Sequence, residues 1–144
     1  MSGNDEPITI LSVSESWDLL SSVALGRLVT SVDGRPRIFP VNFAVQNRTV
    51  LFRTAPGTKL VSAAVNNQVL FEADEHNVVG GWSVIVEGTA RSLRTDEEIA
   101  EAERAQLLPW IGTHQSHYVR IRPTSVSGRR FTFGPEPEQA PEHS

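Results

Sequence analysis

The sequence predicts a mainly β domain, a closed antiparallel barrel of six or seven short strands with two or three small helices. Several segments alternate apolar and polar residues with period two, as half-buried strands do. Asp33-Gly34, between two such segments, is the strongest signal for a two-residue hairpin. The connections are too short for the helical crossovers that parallel strands need, and closure into a barrel would remove exposed strand edges.

Length and composition agree with one domain and exclude several classes of protein. The chain has 144 residues and no cysteine, which excludes a disulfide framework, a thiolate metal site and a cysteine nucleophile. The formal net charge is −4, but three glutamates lie in the C-terminal tail. Without them the chain is close to neutral, so we expect no nucleic-acid partner, because such a partner requires a basic surface.

No targeting or membrane segment is visible, so we expect a cytoplasmic protein with no membrane contact. No apolar run approaches the ~20 residues of a membrane span, and the first residues are not basic and then apolar. One domain should cover residues 8–133. Residues 1–7 should be disordered, as should the tail of residues 134–144, whose three prolines and three glutamates cannot form a core.

The first half of the chain predicts a helix and three strands. Ser12 and Glu15 form a capping-box pattern, so a short helix should start there, and a strand should follow over Leu25–Val32. Because Pro40 lacks an amide hydrogen, it should lie at an edge, a bulge or an open position of the returning strand. A turn at residues 46–48 leads to a strand over Thr49–Thr54. The returning strand places Phe39, Val41, Phe43 and Val45 on one face and Pro40, Asn42 and Ala44 on the other.

The second half continues this pattern. A short helix is predicted for residues 58–65, a strand for residues 69–74 and a long alternating strand after Gly80-Gly81. Thr95 is a natural N-cap and three acidic residues follow it, so a helix should begin there. Residues 118–122 and 125–133 should form the last two strands.

The segment from Phe52 to Lys59 is the most informative for function. A strand delivers Arg53 and Thr54 to a turn, and a helix begins near Thr58. Helix N-termini attract anions, Arg53 adds a bidentate fork, and Lys59, the only lysine, adds a point charge. The segment therefore predicts a phosphate-binding turn, although an ordinary turn with solvated charges would use the same residues.

Other familiar sites are excluded or not supported. The chain has no Gly-x-Gly-x-x-Gly motif and no Gly-x-Ser-x-Gly elbow, and Gly57-Thr58-Lys59 lacks the other residues of a Walker loop. No further histidine or carboxylate helix accompanies His114 and His117. We therefore expect solvated or hydrogen-bonded structural histidines and no metal site.

Several short motifs follow one another along the chain from about Leu11 to Phe133. They are the opening helix, Gly34-Arg35-Pro36, Pro40-Val41-Asn42-Phe43, Phe52-Arg53-Thr54, Gly57-Thr58-Lys59, Gly81-Trp82-Ser83 and Val86-Glu87-Gly88-Thr89-Ala90. In this order and spacing the chain resembles the pyridoxamine 5'-phosphate oxidase-like superfamily of flavin-binding split barrels. The resemblance implies a six-stranded antiparallel split β-barrel, usually a homodimer with two flavin sites at the subunit interface.

The resemblance also implies an FMN site and its residues. Arg53 and Thr54 would lie near the ribityl-phosphate, while Thr58 and Lys59 would hold the phosphate. Phe39, Pro40, Val41 and Asn42 would lie along the isoalloxazine ring, and Ser83 with Trp82 beside it would supply a polar contact to the flavin.

One departure from the family affects the expected activity. The true oxidase has a longer C-terminal segment that contributes a tryptophan against the flavin, whereas this chain has Gly128-Arg129-Arg130 and then the tail. We therefore expect an FMN-binding oxidoreductase that acts on an unidentified small molecule, with no residue assigned as general acid or base. The alternatives are a deazaflavin-dependent reductase of the same fold, a non-catalytic flavin- or haem-binding module, and a structural dimer without a cofactor.

Overall fold

The computed structural model describes residues 6–54, 59–107 and 117–134. Gly57, Thr58 and His114, which the sequence singled out, lie outside the described residues, as does nearly all of each segment expected to be disordered. In chain order the elements are β1 (Ile8–Leu11), α1 (Val13–Leu20), β2 (Leu25–Val32), β3 (Arg35–Gln46), β4 (Thr49–Thr54), α2 (Lys59–Ala64), β5 (Gln68–His76), β6 (Gly80–Ser92), α3 (Asp96–Glu103) and β7 (His117–Thr132). None of these described helices has the length and apolar character needed to cross a membrane.

Six strands form a closed antiparallel ring, which confirms the predicted six-stranded barrel. The ring runs β7-β4-β3-β2-β5-β6, and β6 pairs with β7 to close it. β1 pairs with the C-terminal part of β7 outside the ring. The ladder between β2 and β5 joins three residues on each strand, from Arg27 to Val29 on β2. Beyond Val29 the two strands separate around a cavity of about 140 Å³.

The turns and caps form as the sequence predicts. Asp33 and Gly34 have φ of 53° and 74°, the left-handed backbone that a two-residue hairpin between β2 and β3 requires. Ser12 caps α1, and its hydroxyl accepts a hydrogen bond of 3.1 Å from the amide of Glu15. Thr95 caps α3 in the same reciprocal arrangement with Glu98. Local chemistry therefore fixes where these elements begin.

The barrel interior holds the main core. Side chains of Leu28, Val41, Phe52 and Phe71 are buried there, as the period-two pattern predicts. A smaller apolar cluster lies outside the barrel, where α3 covers the outer face of β4, β6 and β7. It consists of Leu51, Leu93, Ala102 and Tyr118. The buried Arg120 side chain links this helix to the barrel, because it donates to Glu101 Oε1 of α3 at 3.3 Å and to Thr49 Oγ1 of β4 at 2.7 Å.

Pro40 occupies an open position of the sheet, one of the three alternatives that the sequence allowed. It pairs with Arg27 of β2 on one side. The ladder between β3 and β4 begins only at Phe43, so no ladder partner on β4 faces Pro40 among the described residues. A proline fits there because the missing amide hydrogen breaks no ladder bond.

Two strand predictions were wrong. The sequence analysis assigned no strand to Ile8–Leu11, which forms β1 through pairing with residues 128–131 of β7, more than a hundred residues away. The two strands expected at the C-terminus are one strand, β7. Pro123 interrupts the local pattern, but it sits opposite Gly88, where the register shifts between Glu87 and Gly88. A bulge accommodates a proline without ending the strand.

Candidate functional site

A basic cavity lies at the hairpin between β2 and β3. Its volume is about 490 Å³, and α2 forms its opposite wall. The lining residues are Val32, Asp33, Arg35, Arg37, Lys59 and Ala63. We refer to it as the hairpin cavity. It gathers three cationic side chains and one carboxylate in a single concave site.

The local structure explains why these side chains converge. Arg35 and Arg37 are two residues apart on β3, so they project to the same side of the strand. At the hairpin end this side extends past the packed core, and both arginines are exposed. Lys59 and Ala63 are one helical turn apart on α2 and so lie on one face. The neighbouring Leu60 is buried in the main core and anchors the helix.

The electrostatics of the hairpin cavity favour an anion. Within the described part of the chain, the ion pairs involve other arginines, and none includes Arg35, Arg37 or Lys59. The three cationic side chains outnumber the single carboxylate of Asp33. A phosphate would provide acceptor oxygens for all three at once.

A buried hydroxyl without a partner lies near the hairpin cavity but does not line it. Thr30 pairs with Arg37 across the β2–β3 ladder and lines the smaller cavity between β2 and β5. Its Oγ1 atom is buried and has no hydrogen-bond partner among the described residues. The fit to a phosphate-bearing cofactor therefore rests on the three cations of the hairpin cavity.

The sequence indicated Lys59 as a binding residue but not Arg35 or Arg37. The two arginines fall at alternate positions directly after the Asp33-Gly34 turn. Their spacing places both on one face of the strand that follows the turn, and this was the signal that could have identified them.

Arg53 and Thr54, predicted near the ribityl-phosphate, are not among the described residues that line the hairpin cavity, and their role in binding a cofactor stays a prediction. Arg53 lines a separate cavity of about 410 Å³ between α3 and the barrel. Its Nη1 atom donates to the carbonyl of Leu107 at 2.7 Å, and its guanidinium lies 5.3 Å from the centroid of the Tyr118 ring. Thr54 is buried at the end of β4. In this structure Lys59 therefore shares its cavity with Arg35 and Arg37, and Arg53 does not line it.

The four residues predicted along the flavin ring divide between two faces of β3. Val41 is only 1% exposed and lies in the core, and Phe39 packs half-buried against that core. Pro40 and Asn42 are exposed on the outer face. Only Pro40 and Asn42 therefore present side chains to a ligand on the outside of the barrel.

Trp82 and Ser83 lie at the other end of the barrel from the hairpin cavity. Trp82 is buried and lines a third cavity of about 460 Å³ with His76 and Arg130. Ser83 is half-exposed and pairs with Asp74 of β5. The strand registers separate Ser83 from the hairpin cavity by about seven residues, or about 23 Å along the strands. Within one chain, Trp82 and Ser83 are therefore not adjacent to Lys59, although all three were predicted to contact one flavin.

His117 is held in place by a hydrogen bond, as expected for a structural histidine. Its Nε2 atom lies 2.7 Å from Ser92 Oγ across the β6–β7 ladder. The histidine also lines the cavity that contains Arg53.

Comparisons with known proteins show the family of this chain. The family model described as pyridoxamine 5'-phosphate oxidase matches residues 12–130. The structure of the FAD binding protein from Mycobacterium smegmatis is similar with a TM-score of 0.83 and 67% identity, over 88% of this chain and 100% of that one. A FAD-binding protein from Mesorhizobium loti is similar with a TM-score of 0.70 and 26% identity, over 85% and 96%. An uncharacterized protein of Mycobacterium tuberculosis is 58% identical over 96 residues, which are 67% of this chain and 87% of that one.

Proposed function

Because this chain belongs to the pyridoxamine 5'-phosphate oxidase family, we propose that it binds a flavin nucleotide and acts as a flavin-dependent oxidoreductase on a small molecule. The observation that carries the proposal is the hairpin cavity, where Arg35, Arg37 and Lys59 converge and form no ion pair among the described residues. The similar proteins from Mycobacterium smegmatis and Mesorhizobium loti are FAD-binding.

The hairpin cavity is the proposed phosphate site. The two guanidinium groups donate in pairs to phosphate oxygens, and the ammonium of Lys59 adds a third charge-assisted contact. Such contacts contribute about 1.5–3 kcal/mol each. Because the two relatives are FAD-binding proteins, we propose FAD ahead of the FMN that the sequence resemblance implies.

The exposed outer face of β3 is the proposed platform for the isoalloxazine ring. It presents Ile38, Pro40 and Asn42 on the side of β3 opposite Arg35 and Arg37. The proposed cofactor would therefore pass around the edge of β3 before Phe43, where β3 has no described ladder partner on β4. Ile38 and Pro40 provide a flat apolar surface, and the amide of Asn42 provides a donor and an acceptor for the ring edge.

The position of Ser83 supports a shared site. Ser83 lies on β6, three strands along the sheet from the proposed ring platform on β3, so a ring held at Pro40 would not contact Ser83 of the same chain. A second copy related by a twofold axis would present its own Ser83 and Trp82 from the opposite direction. We therefore propose a homodimer in which each flavin lies between two subunits.

The bound flavin would supply the redox chemistry, and the chain would bind and orient it. Arg35, Arg37 and Lys59 would fix the phosphate end. The sheet face at Pro40 and Asn42 would fix the ring and keep water from one side of it. We assign no side chain as a general acid or base.

Titration of cofactor-free protein tests the proposal. Aliquots of FAD, FMN and a deazaflavin cofactor are added, and binding is followed by fluorescence and by isothermal calorimetry. We expect one site per chain, with FAD bound more tightly than FMN. Tighter binding of the deazaflavin would favour the alternative reductase, and no binding of any of the three would contradict the proposal. Turnover with reduced nicotinamide and candidate acceptors then separates an enzyme from a flavin- or haem-binding module.

A further inference from the structure

A second cavity suited to a small molecule lies at the end of the barrel opposite the β2–β3 hairpin. Its volume is about 460 Å³, which is in the usual range for small-molecule sites. Glu75, His76, Trp82, Arg130 and Phe131 are among the residues that line it. We call it the Trp82 cavity. It combines aromatic rings with a guanidinium and a carboxylate, and such a set of groups suits a planar charged molecule.

Three neighbouring strands place opposite charges on the two sides of Trp82. In the ladders, Trp82 of β6 lies opposite Glu75 of β5 on one side and opposite Arg130 of β7 on the other. Residues directly opposite each other project to the same face of a sheet. Trp82 is only 5% exposed, whereas Glu75 and Arg130 are both exposed. The indole therefore forms a floor between two charged side chains.

The two charges are held apart from each other. Glu75 and Arg130 are two strand spacings apart, or about 10 Å. Among the described residues, Arg130 forms no ion pair with Glu75 or with any other carboxylate. Glu15 of α1 also lies within the field of Arg130, but the amide of Ser12 is the main group that lowers the pKa of Glu15, and the charge of Arg130 contributes less. Both charged groups beside Trp82 are therefore available to a ligand.

The turn at the rim of the Trp82 cavity is fixed by hydrogen bonds. Asn77 Oδ1 accepts from the amides of Val79 at 2.8 Å and Gly80 at 3.1 Å, and the Asn77 amide donates to the Gly80 carbonyl at 2.9 Å. The Phe133 amide donates to the Val79 carbonyl at 2.7 Å and ties the turn to the end of β7. The rim is therefore preorganised, which lowers the entropic cost of binding.

We propose that the Trp82 cavity binds a planar aromatic molecule that carries an ammonium group at one end and a carboxylate at the other. Arg130 donates a pair of hydrogen bonds to the carboxylate, Glu75 accepts from the ammonium, and the indole of Trp82 contacts the ring. One aromatic ring with a charged group at each end is similar in length to the spacing between the two side chains. A ligand with only one of the charges engages only one of them.

The proposed ligand site does not depend on the flavin. Neighbouring residues of a strand face opposite sides, so Ser83, the predicted polar contact to the flavin, lies on the other face of β6 from Trp82. The cations of the hairpin cavity lie at the other end of the barrel. Failure of either proposal therefore leaves the other intact.

Isothermal calorimetry of the full-length protein with para-aminomethylbenzoate tests the inference. The comparison probes are para-methylbenzoate and para-methylbenzylamine, which keep the ring and one charge each. Because a charge-assisted hydrogen bond contributes about a factor of ten or more, we expect the zwitterion to bind at least tenfold more tightly than either comparison probe. Arg130→Gln should weaken zwitterion binding about tenfold and leave para-methylbenzylamine binding unchanged. Glu75→Gln should weaken it similarly and leave para-methylbenzoate binding unchanged.

Two control variants show where the zwitterion binds. Arg129→Gln removes the neighbouring arginine, which pairs with Ser83 and projects to the opposite face of β7, and it should bind the zwitterion as the wild type does. Arg37→Met removes a cation of the hairpin cavity and should also bind it normally. Weaker binding by Arg37→Met would place the probe in the hairpin cavity and refute the inference.

The remaining outcomes also test the Trp82 cavity. The inference is overturned if the zwitterion binds no more tightly than the better of the two comparison probes, or if none of the three probes binds. It is also overturned if either Arg130→Gln or Glu75→Gln binds the zwitterion as the wild type does. Since both side chains are exposed, the variants should fold, and a thermal melt of each sample checks this.

Discussion

Replacing Arg37 by methionine tests the hairpin cavity most specifically. The substitution removes the guanidinium and retains most of the apolar stem. Arg37 is exposed and forms no ion pair among the described residues, so its removal should change the free energy of unfolding by less than about 0.5 kcal/mol. A lost charge-assisted contact to a phosphate costs about 1.5–3 kcal/mol. Since 1.4 kcal/mol is a factor of ten, we expect the FAD dissociation constant to rise by about 10- to 150-fold.

The assay for Arg37→Met is a fluorescence titration of cofactor-free protein with FAD, beside a thermal melt of the same sample. Arg48→Met is the matched control. Arg48 is an exposed arginine on the turn between β3 and β4, at the other end of the barrel, where it donates to Ser14 Oγ at 3.2 Å. The control should bind FAD as the wild type does. A dissociation constant for Arg37→Met within about twofold of the control value would refute the cavity as the phosphate site.

Three further predictions concern the residues around the site and the fold. Thr30→Val removes the unsatisfied hydroxyl at nearly constant volume, so chemical denaturation should show cofactor-free protein more stable by about 1 kcal/mol; a loss of stability would contradict the reasoning. Arg120→Met leaves Thr49 Oγ1 and Gln46 without their buried donor, so urea unfolding should lose about 2–4 kcal/mol; a loss below about 0.5 kcal/mol would contradict this. The backbone amides of Thr95 and Arg94 lower the pKa of Glu98, so its stabilisation is present at neutral pH and is lost as the pH falls below the usual glutamate value. The melting temperature of Glu98→Gln should therefore fall less on acidification than that of the wild type, and equal falls would refute the cap's contribution.

The strand pattern of the barrel was predictable because its causes are local. Period-two alternation in β3 and β6, the Asp33-Gly34 turn and the caps at Ser12 and Thr95 are properties of a few neighbouring residues. Those predictions are confirmed. β1 was missed because its strand exists only through pairing with residues 128–131 of β7, and the short exposed segment has no alternation of its own.

The site was only partly predictable, because its geometry depends on which strands become neighbours. Arg53 and Lys59 are close in sequence, yet Arg53 lies against Tyr118 and Lys59 lines the cavity at the β2–β3 hairpin. The sequence pattern did not predict that Arg37 and Lys59 line the same cavity, because this depends on how α2 packs beside the β2–β3 hairpin. The placement of Thr58 and of the predicted ring contacts at Trp82 and Ser83 stays a prediction.

A crystal structure grown with FAD measures the central claim most directly, since it locates the phosphates and the ring together. We predict pyrophosphate density within hydrogen-bonding distance of Arg37 and Lys59, with the isoalloxazine ring over the outer face of β3 near Pro40 and a second subunit closing the site. Flavin bound elsewhere on the chain, with no density between the β2–β3 hairpin and α2, would contradict the assignment.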